Sequence, residues 1–235
     1  MPMGHVIYLH ERRPDRFKSA RSERPAFFFD VTSPLSYLMA ERVERKLGPV
    51  DWVAADGGML RRIHQAEASA GGRAQRREDR SGLGRTEIPR LRTRAEACAR
   101  ALRLPLVWPD RFPGAAPCAQ RACAFACEIG AGGAFALAAS RLAFCGGFDL
   151  EDPETLAEAA AAAGVPLEEC LVAAGETWRD EELEATARDL HAHGVSELPA
   201  IRVGQQWIQG ESSLTAAAAL LSRGAAPRRS LAPMG

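Results

Sequence analysis

FFFDVTSPLSYL, residues 27–38, is the stretch whose reading decides the fold. An apolar run rich in aromatics ends at Asp30, a Thr-Ser pair follows, then Pro34, then residues at helical spacing. This is the pattern of a buried strand turning at once into a helix. Ser33 stands where an N-cap belongs and Pro34 where the first helical residue belongs. Thr32 competes for the cap, which leaves that assignment open by one residue. A strand-to-helix turn presents unpaired backbone N–H groups and the positive end of the helix dipole at a sheet edge, where anions and thiolates bind well. An ordinary capped helix would read the same way.

Working outward, residues 26–32 read as the first strand. The helix after Pro34 puts Leu35, Leu38, Met39, Val43 and Leu47 on one stripe and stops at Gly48-Pro49. Val50 to Ala55 reads as a second strand, so the opening is β-α-β with a parallel pair and a right-handed crossover. Residues 69–86 are glycine-rich and charged, with little apolar content, and read as a surface loop in which Arg73, Arg76, Arg77 and Arg80 are offset by Glu78 and Asp79. Helical patterns follow at roughly 90–103, 117–129, 132–144, 153–163 and 166–174, with Asp152-Pro153 and Val165-Pro166 marking starts. Glu176 to His193 is a longer amphipathic helix capped by Gly194. The strand pattern then returns at Ala200 to Val203 and Trp207 to Gln209, around a turn at Gly204. A last helix runs from Ser213 to Ser222. The expected organisation is therefore an N-terminal extension (1–24), a split α/β domain (25–56 and 176–223), an inserted helical domain (57–175) and a tail (224–235).

Composition removes several function classes. With 30 basic and 30 acidic residues the formal net charge is zero, so no nucleic-acid partner is expected. No apolar run reaches the roughly 18 residues of a membrane span, and Val6 to Leu9 is too short for a secretory signal. A cytoplasmic location is the expectation. Cys98, Cys118, Cys123, Cys127, Cys145 and Cys170 form no Cys-x-x-Cys, and Cys123 and Cys127 share a helix face with no histidine near in sequence. They read as core residues, not a metal pair. His5, His10, His64, His191 and His193 lie in no recognisable motif.

The plan of a β-α-β unit, a helical block and an α-β-β-α unit resembles a thioredoxin-like fold with an all-helical insertion, the DsbA-like variant. FFFDVTSPLSYL is similar to the opening of 2-hydroxychromene-2-carboxylate isomerases and kappa-class glutathione transferases, which carry Ser-Pro-x-Ser where the oxidoreductases of the fold carry Cys-x-x-Cys. HGVSELPAIRVGQQWIQGESSL resembles the closing motif of that branch, and LPLVWPDRFPGAAPCAQRA its proline-rich link into the helices. The resemblance implies that Ser33 stabilises a cofactor thiolate, supplied by glutathione or another low-molecular-weight thiol. It implies a thiol-binding cleft made by Thr32, Pro34, Ser36, Leu198 and Pro199, with Pro199 a candidate cis-proline that would expose the backbone of Leu198; a trans strand-initiating proline is the other reading. The implied reaction is a cis–trans isomerisation of a small aromatic or conjugated substrate, of the kind used in polycyclic-aromatic breakdown. The same resemblance allows a homodimer with two-fold symmetry.

The chain departs from that pattern at three places. The branch carries Asp-Arg after the closing aromatic and a Gly-x pair, and the aspartate takes the γ-glutamyl ammonium of glutathione. Here Gly210-Glu211 leads to Ser212 and Ser213; Glu211 is the candidate replacement one position away, and Glu211 and Ser212 are both expected among the cofactor-binding residues. Phe-Pro-x-Asn reads Phe112-Pro113-Gly114-Ala115, without the asparagine. Arg85 to Arg94 replaces a lysine- and tyrosine-bearing segment. These changes keep open an alternative in which a degenerate member of the fold binds a ligand or peptide without thiol catalysis. Dithiol exchange is excluded at the helix start, because no cysteine lies between Val31 and Leu38.

Overall fold

The computed structural model describes residues 24–69 and 87–224. The N-terminal extension as far as residue 23, the glycine-rich loop after Ser69 and the tail after Gly224 lie outside the described residues. β1 (Ala26–Phe29) is buried along its whole length. Strand alternation sends Phe27 and Phe29 to one face and Phe28 to the other, and the two faces feed separate apolar clusters. In β2 (Asp51–Ala54), Trp52 sets its ring edge-on against Phe27 and Phe29, at centroid distances of 5.1 and 5.4 Å.

β1 pairs parallel with β2 on one side and antiparallel with β3 (Ala200–Val203) on the other. β3 pairs antiparallel with β4 (Gln206–Gln209), giving the order β2-β1-β3-β4. The first strand is thus central, and whatever follows its C-terminal end emerges in the middle of the sheet.

The single helix expected over 34–47 is two. α1 (Pro34–Ala40) stops at Glu41, and α2 (Val43–Leu47) starts after Arg42, whose φ of −131° leaves the helical region. The apolar stripe continues across the break because Val43 is as buried as Leu35 and Leu38. Spacing alone does not reveal this break, beside which Glu41 accepts two bonds from Arg141, at 2.6 and 2.8 Å. α3 (Gly57–Ser69) was not legible as a helix, because two glycines disguise its start. Asp56 supplies that start by accepting the Met59 N–H at 2.9 Å.

The helical block matches its sequence periodicity: α4 (Glu87–Leu102), α5 (Pro117–Glu128), α6 (Gly132–Gly146), α7 (Pro153–Ala163) and α8 (Leu167–Gly175). α9 (Arg179–Ala192) begins three residues later than expected, and α10 (Ser213–Gly224) closes the chain's described part. α5 and α6 pack on the sheet beside β2, with Phe27 and Phe29; α3 and α9 pack together on the opposite face, where Leu60, Ala187 and Leu190 enclose Phe28. The approach of α6 depends on Gly133, where a Cβ would stand 2.7 Å from the Trp52 ring. Among the described residues no helix is long and apolar enough to cross a membrane.

Candidate functional site

Asp30 ends β1 and organises everything after it. Its side chain is buried, and Oδ1 accepts three donors: the Thr32 N–H at 2.8 Å, the Thr32 hydroxyl at 2.6 Å and the Gln120 side-chain amide at 2.6 Å. Oδ2 accepts the Gly57 N–H at 3.0 Å. The Asp30 N–H donates to Ser36 Oγ at 3.1 Å, and the Asp30 carbonyl accepts the Ser33 N–H at 3.0 Å. A buried carboxylate is tolerable only with such donors. Here they tie the end of β1 to the start of α1, the start of α3 and the first turns of α5.

Because Thr32 is committed to Asp30, the N-cap falls to Ser33. Its backbone is extended (φ −95°, ψ 123°), its Oγ accepts the Ser36 N–H at 3.3 Å, and Pro34 is the first helical residue. A serine hydroxyl that accepts through oxygen still has its own proton to give. No described residue takes it, and Ser33 is half-buried on a cleft of about 690 Å³.

The cleft lies between the α/β domain and the helical block. Ser33 and Pro34 form one wall; Ser196, Glu197 and Leu198 form another; Asp56 and His64 come from the α3 side, and Gln120 and Arg121 from α5. The Leu198–Pro199 and Phe112–Pro113 peptides are both cis. The Leu198 wall is braced by Gln209, whose Oε1 accepts the Ser196 and Glu197 N–H groups at 2.6 and 3.1 Å. Gly210 has a φ of +78°, in the left-handed region that favours glycine, and a Cβ there would also stand 2.5 Å from Glu197 Oε1.

Of the residues expected at the site, Thr32, Ser33, Pro34 and Leu198 line this cleft. Ser36 is 1% exposed and faces the Asp30 backbone instead. Pro199 stands behind Leu198, its carbonyl accepting the Gly210 N–H at 2.9 Å. Ser212 is exposed beyond the cleft lining, and Ser213 is buried, donating to Met39 Sδ at 3.4 Å. Glu211 is also outside the lining and reaches the rim through Arg94, whose Nε donates to it at 2.7 Å; Arg94 also approaches Glu197 at 3.6 Å.

The charges around the cleft are largely paired. Arg121 makes a two-pronged bond to Asp180, both at 2.7 Å, and a third to the Ala174 carbonyl at 3.2 Å. Burial, with the Asp30 carboxylate beside it, holds the Asp56 carboxyl above its usual value of 3.8. None of the six cysteines lines the cleft. Burial raises the thiols of Cys98, Cys118 and Cys123 above the ordinary value and pushes Cys170 up to about 11, so these four rest protonated at neutral pH.

Sequence reasoning missed three residues of this site. Asp30 was visible as the end of the aromatic run, but its part as hub depends on Gly57 and Gln120, which are distant in the chain. Gln120 carried a signal of its own, a lone amide on an alanine-rich helix. Asp56 was hidden by the unrecognised start of α3.

No family model matches the chain, and no curated protein does either. Solved structures do. A 2-hydroxychromene-2-carboxylate isomerase superposes with a TM-score of 0.67 at 15% identity, over 85% of this chain and 94% of its own. A probable DsbA oxidoreductase from Streptomyces coelicolor superposes with a TM-score of 0.62 at 19% identity, over 90% of this chain and 93% of its own. Likeness at this identity shows the fold, a thioredoxin-like domain with a DsbA-like helical insertion.

Proposed function

We propose that the cleft holds a low-molecular-weight thiol, glutathione or a relative of it, and that Ser33 donates its hydroxyl proton to the sulfur. The observation that carries this reading is the Ser33 hydroxyl, facing a cleft opposite Leu198 with its proton uncommitted. α1 is only seven residues long, so its dipole adds little and the hydroxyl has to do most of the stabilising. A free thiol has a pKa of about 8.5, and a donor aimed at the sulfur favours the thiolate. The reaction that fits is isomerisation: the thiolate adds to a conjugated carbon, the former double bond becomes a single bond and rotates, and expulsion of the same thiolate restores the double bond. The cofactor is regenerated, and no electrons are gained or lost.

A backbone-pairing role for Leu198 belongs to this reading. An extended, peptide-like thiol could add a short strand there, as in β-augmentation. Calorimetric titration of wild type and Ser33→Ala with reduced glutathione tests it. Micromolar-to-millimolar binding that weakens in the variant is the expected result; equal binding by both proteins removes Ser33 from the role.

One observation favours a second reading, ligand binding without thiol catalysis. Glu211 is engaged by Arg94 and lies outside the lining, and Ser212 has only a hydroxyl, so neither offers a free carboxylate to a γ-glutamyl ammonium. Absence of glutathione binding, with binding of a peptide or other ligand at Leu198, is the outcome that reading expects. Disulfide exchange has no thiol in the cleft to work with, and turnover in an insulin-reduction assay is the result that would contradict this.

A further inference from the structure

Gln120 differs from the other polar groups around the cleft. It lines the cleft from α5 yet is only 3% exposed. Its amide nitrogen donates to Asp30 Oδ1 at 2.6 Å. That contact fixes the orientation of the amide, because a carbonyl oxygen set against a carboxylate at such a distance would be repelled. The other end, Oε1, is buried and receives no hydrogen bond from any described residue. An unpaired buried acceptor costs about 1–3 kcal/mol, and native proteins leave few of them.

Its neighbours are satisfied. Asp30 Oδ1 already takes three donors and Oδ2 takes Gly57. Arg121, the next residue along, is spent on Asp180 and the Ala174 carbonyl. One acceptor is thus held in a fixed orientation by a carboxylate that has itself no further need of a partner.

We propose that Gln120 Oε1 reads the ligand: the molecule bound at Ser33 presents a neutral hydroxyl or amide N–H to α5. The inference rests on the Ser33 reading above and adds to it the polarity of what binds. A neutral donor fits better than an ammonium, since a cation desolvated against an uncharged carbonyl loses more hydration than one hydrogen bond returns. Two sources have this chemistry. A glutathione-like cofactor brings amide N–H groups, and a conjugated substrate that carries a hydroxyl brings that.

The test is a calorimetric series on the full chain with three probes: reduced glutathione, 3-hydroxybenzoate, whose hydroxyl is too far from its own carboxylate to bond it, and 3-methoxybenzoate, which lacks the donor. Gln120→Lys keeps a donor for Asp30 and removes the carbonyl, while Gln120→Met keeps the length and removes both. The pair guards against one variant failing to fold. In a folded variant the affinity for a donor-bearing probe should fall about five-fold or more, as the loss of one hydrogen bond converts. Binding of 3-methoxybenzoate should not change. A loss confined to glutathione assigns the donor to the cofactor, and a loss confined to 3-hydroxybenzoate assigns it to the substrate.

The inference is overturned if folded Gln120 variants bind every probe as wild type does, or if wild type binds neither donor-bearing probe. A crystal structure with the same water on Oε1 in free and ligated protein also overturns it. Ser33→Ala in the same series separates the two ideas. Weakened glutathione binding in Ser33→Ala, with the Gln120 variants unchanged, keeps the thiol reading and removes this one. The converse pattern, with the Gln120 variants selective and Ser33→Ala neutral, keeps this inference and removes the thiol reading.

Discussion

The turn at Asp30–Ser36 and the rim at Arg94–Glu211 both border the cleft, and they are built in opposite ways. The turn is buried, and six hydrogen bonds converge on one residue, most of them from within six positions in sequence. The rim is an ion pair between residues 117 positions apart, with both side chains more than a third exposed. In the first, each partner left over after a substitution is a buried group deprived of water; in the second, water replaces the partner. The turn should therefore be rigid and intolerant of change, and the rim forgiving.

The largest effect should come from Asp30→Ala, which strands the Gly57 N–H, the Thr32 N–H and the Gln120 amide at once. At about 1–3 kcal/mol for each buried group left unpaired, a loss of at least 3 kcal/mol is expected. Urea unfolding measures it, and a loss below 1 kcal/mol would mean the hub is dispensable. Ser36→Ala comes next, at about 1–3 kcal/mol, because the buried Asp30 N–H loses its acceptor. Ser33→Ala should cost only about 1 kcal/mol, the value of an N-cap. The order of the two serines sharpens the contrast. Ser36 should matter more for stability and Ser33 more for binding, so the reverse order in paired unfolding and titration experiments would undo the division of roles.

Asp56 gives a pH-dependent test. Its folded carboxyl titrates above the usual 3.8, so the folded state holds that proton more tightly than the unfolded chain. Stability from this group is fully present below pH 3.8 and is lost as pH rises through the raised value. Asp56→Asn keeps an oxygen acceptor for the Met59 N–H and has no charge to bury. It should flatten that fall and leave the variant more stable than wild type at neutral pH; urea midpoints that track wild type at every pH would contradict this. The smallest effect belongs to the rim. Glu211→Ala should change stability by less than about 0.5 kcal/mol, and added salt should shrink even that. A thermal melt showing a large, salt-insensitive loss would mean the rim carries structure after all.

This contrast also explains what the sequence revealed. The β1–α1 junction was legible because its signals are local: the phenylalanine run, Ser33 before Pro34, and helical spacing afterwards. The helical block was legible for the same reason, since caps such as Asp152 act within a turn, its carboxylate accepting the Glu154 N–H at 3.0 Å. What stayed hidden is set by residues far apart in the chain. The break after Ala40 lies beside a pair between Glu41 and the distant Arg141, and the start of α3 is tied back to Asp30 through Gly57. Gln120 acquires its meaning only when α5 is laid against the end of β1. Glu211 was legible only through its place in a motif, and its pairing with Arg94, on the distant α4, was not.

The most direct measurement is the pH titration of the thiolate absorbance of glutathione bound to wild type and to Ser33→Ala. With the Ser33 hydroxyl on the sulfur, the bound thiol should ionise well below the free value of about 8.5 and return toward it in Ser33→Ala. A bound thiol that ionises at the same pH in both proteins would contradict the role assigned to Ser33.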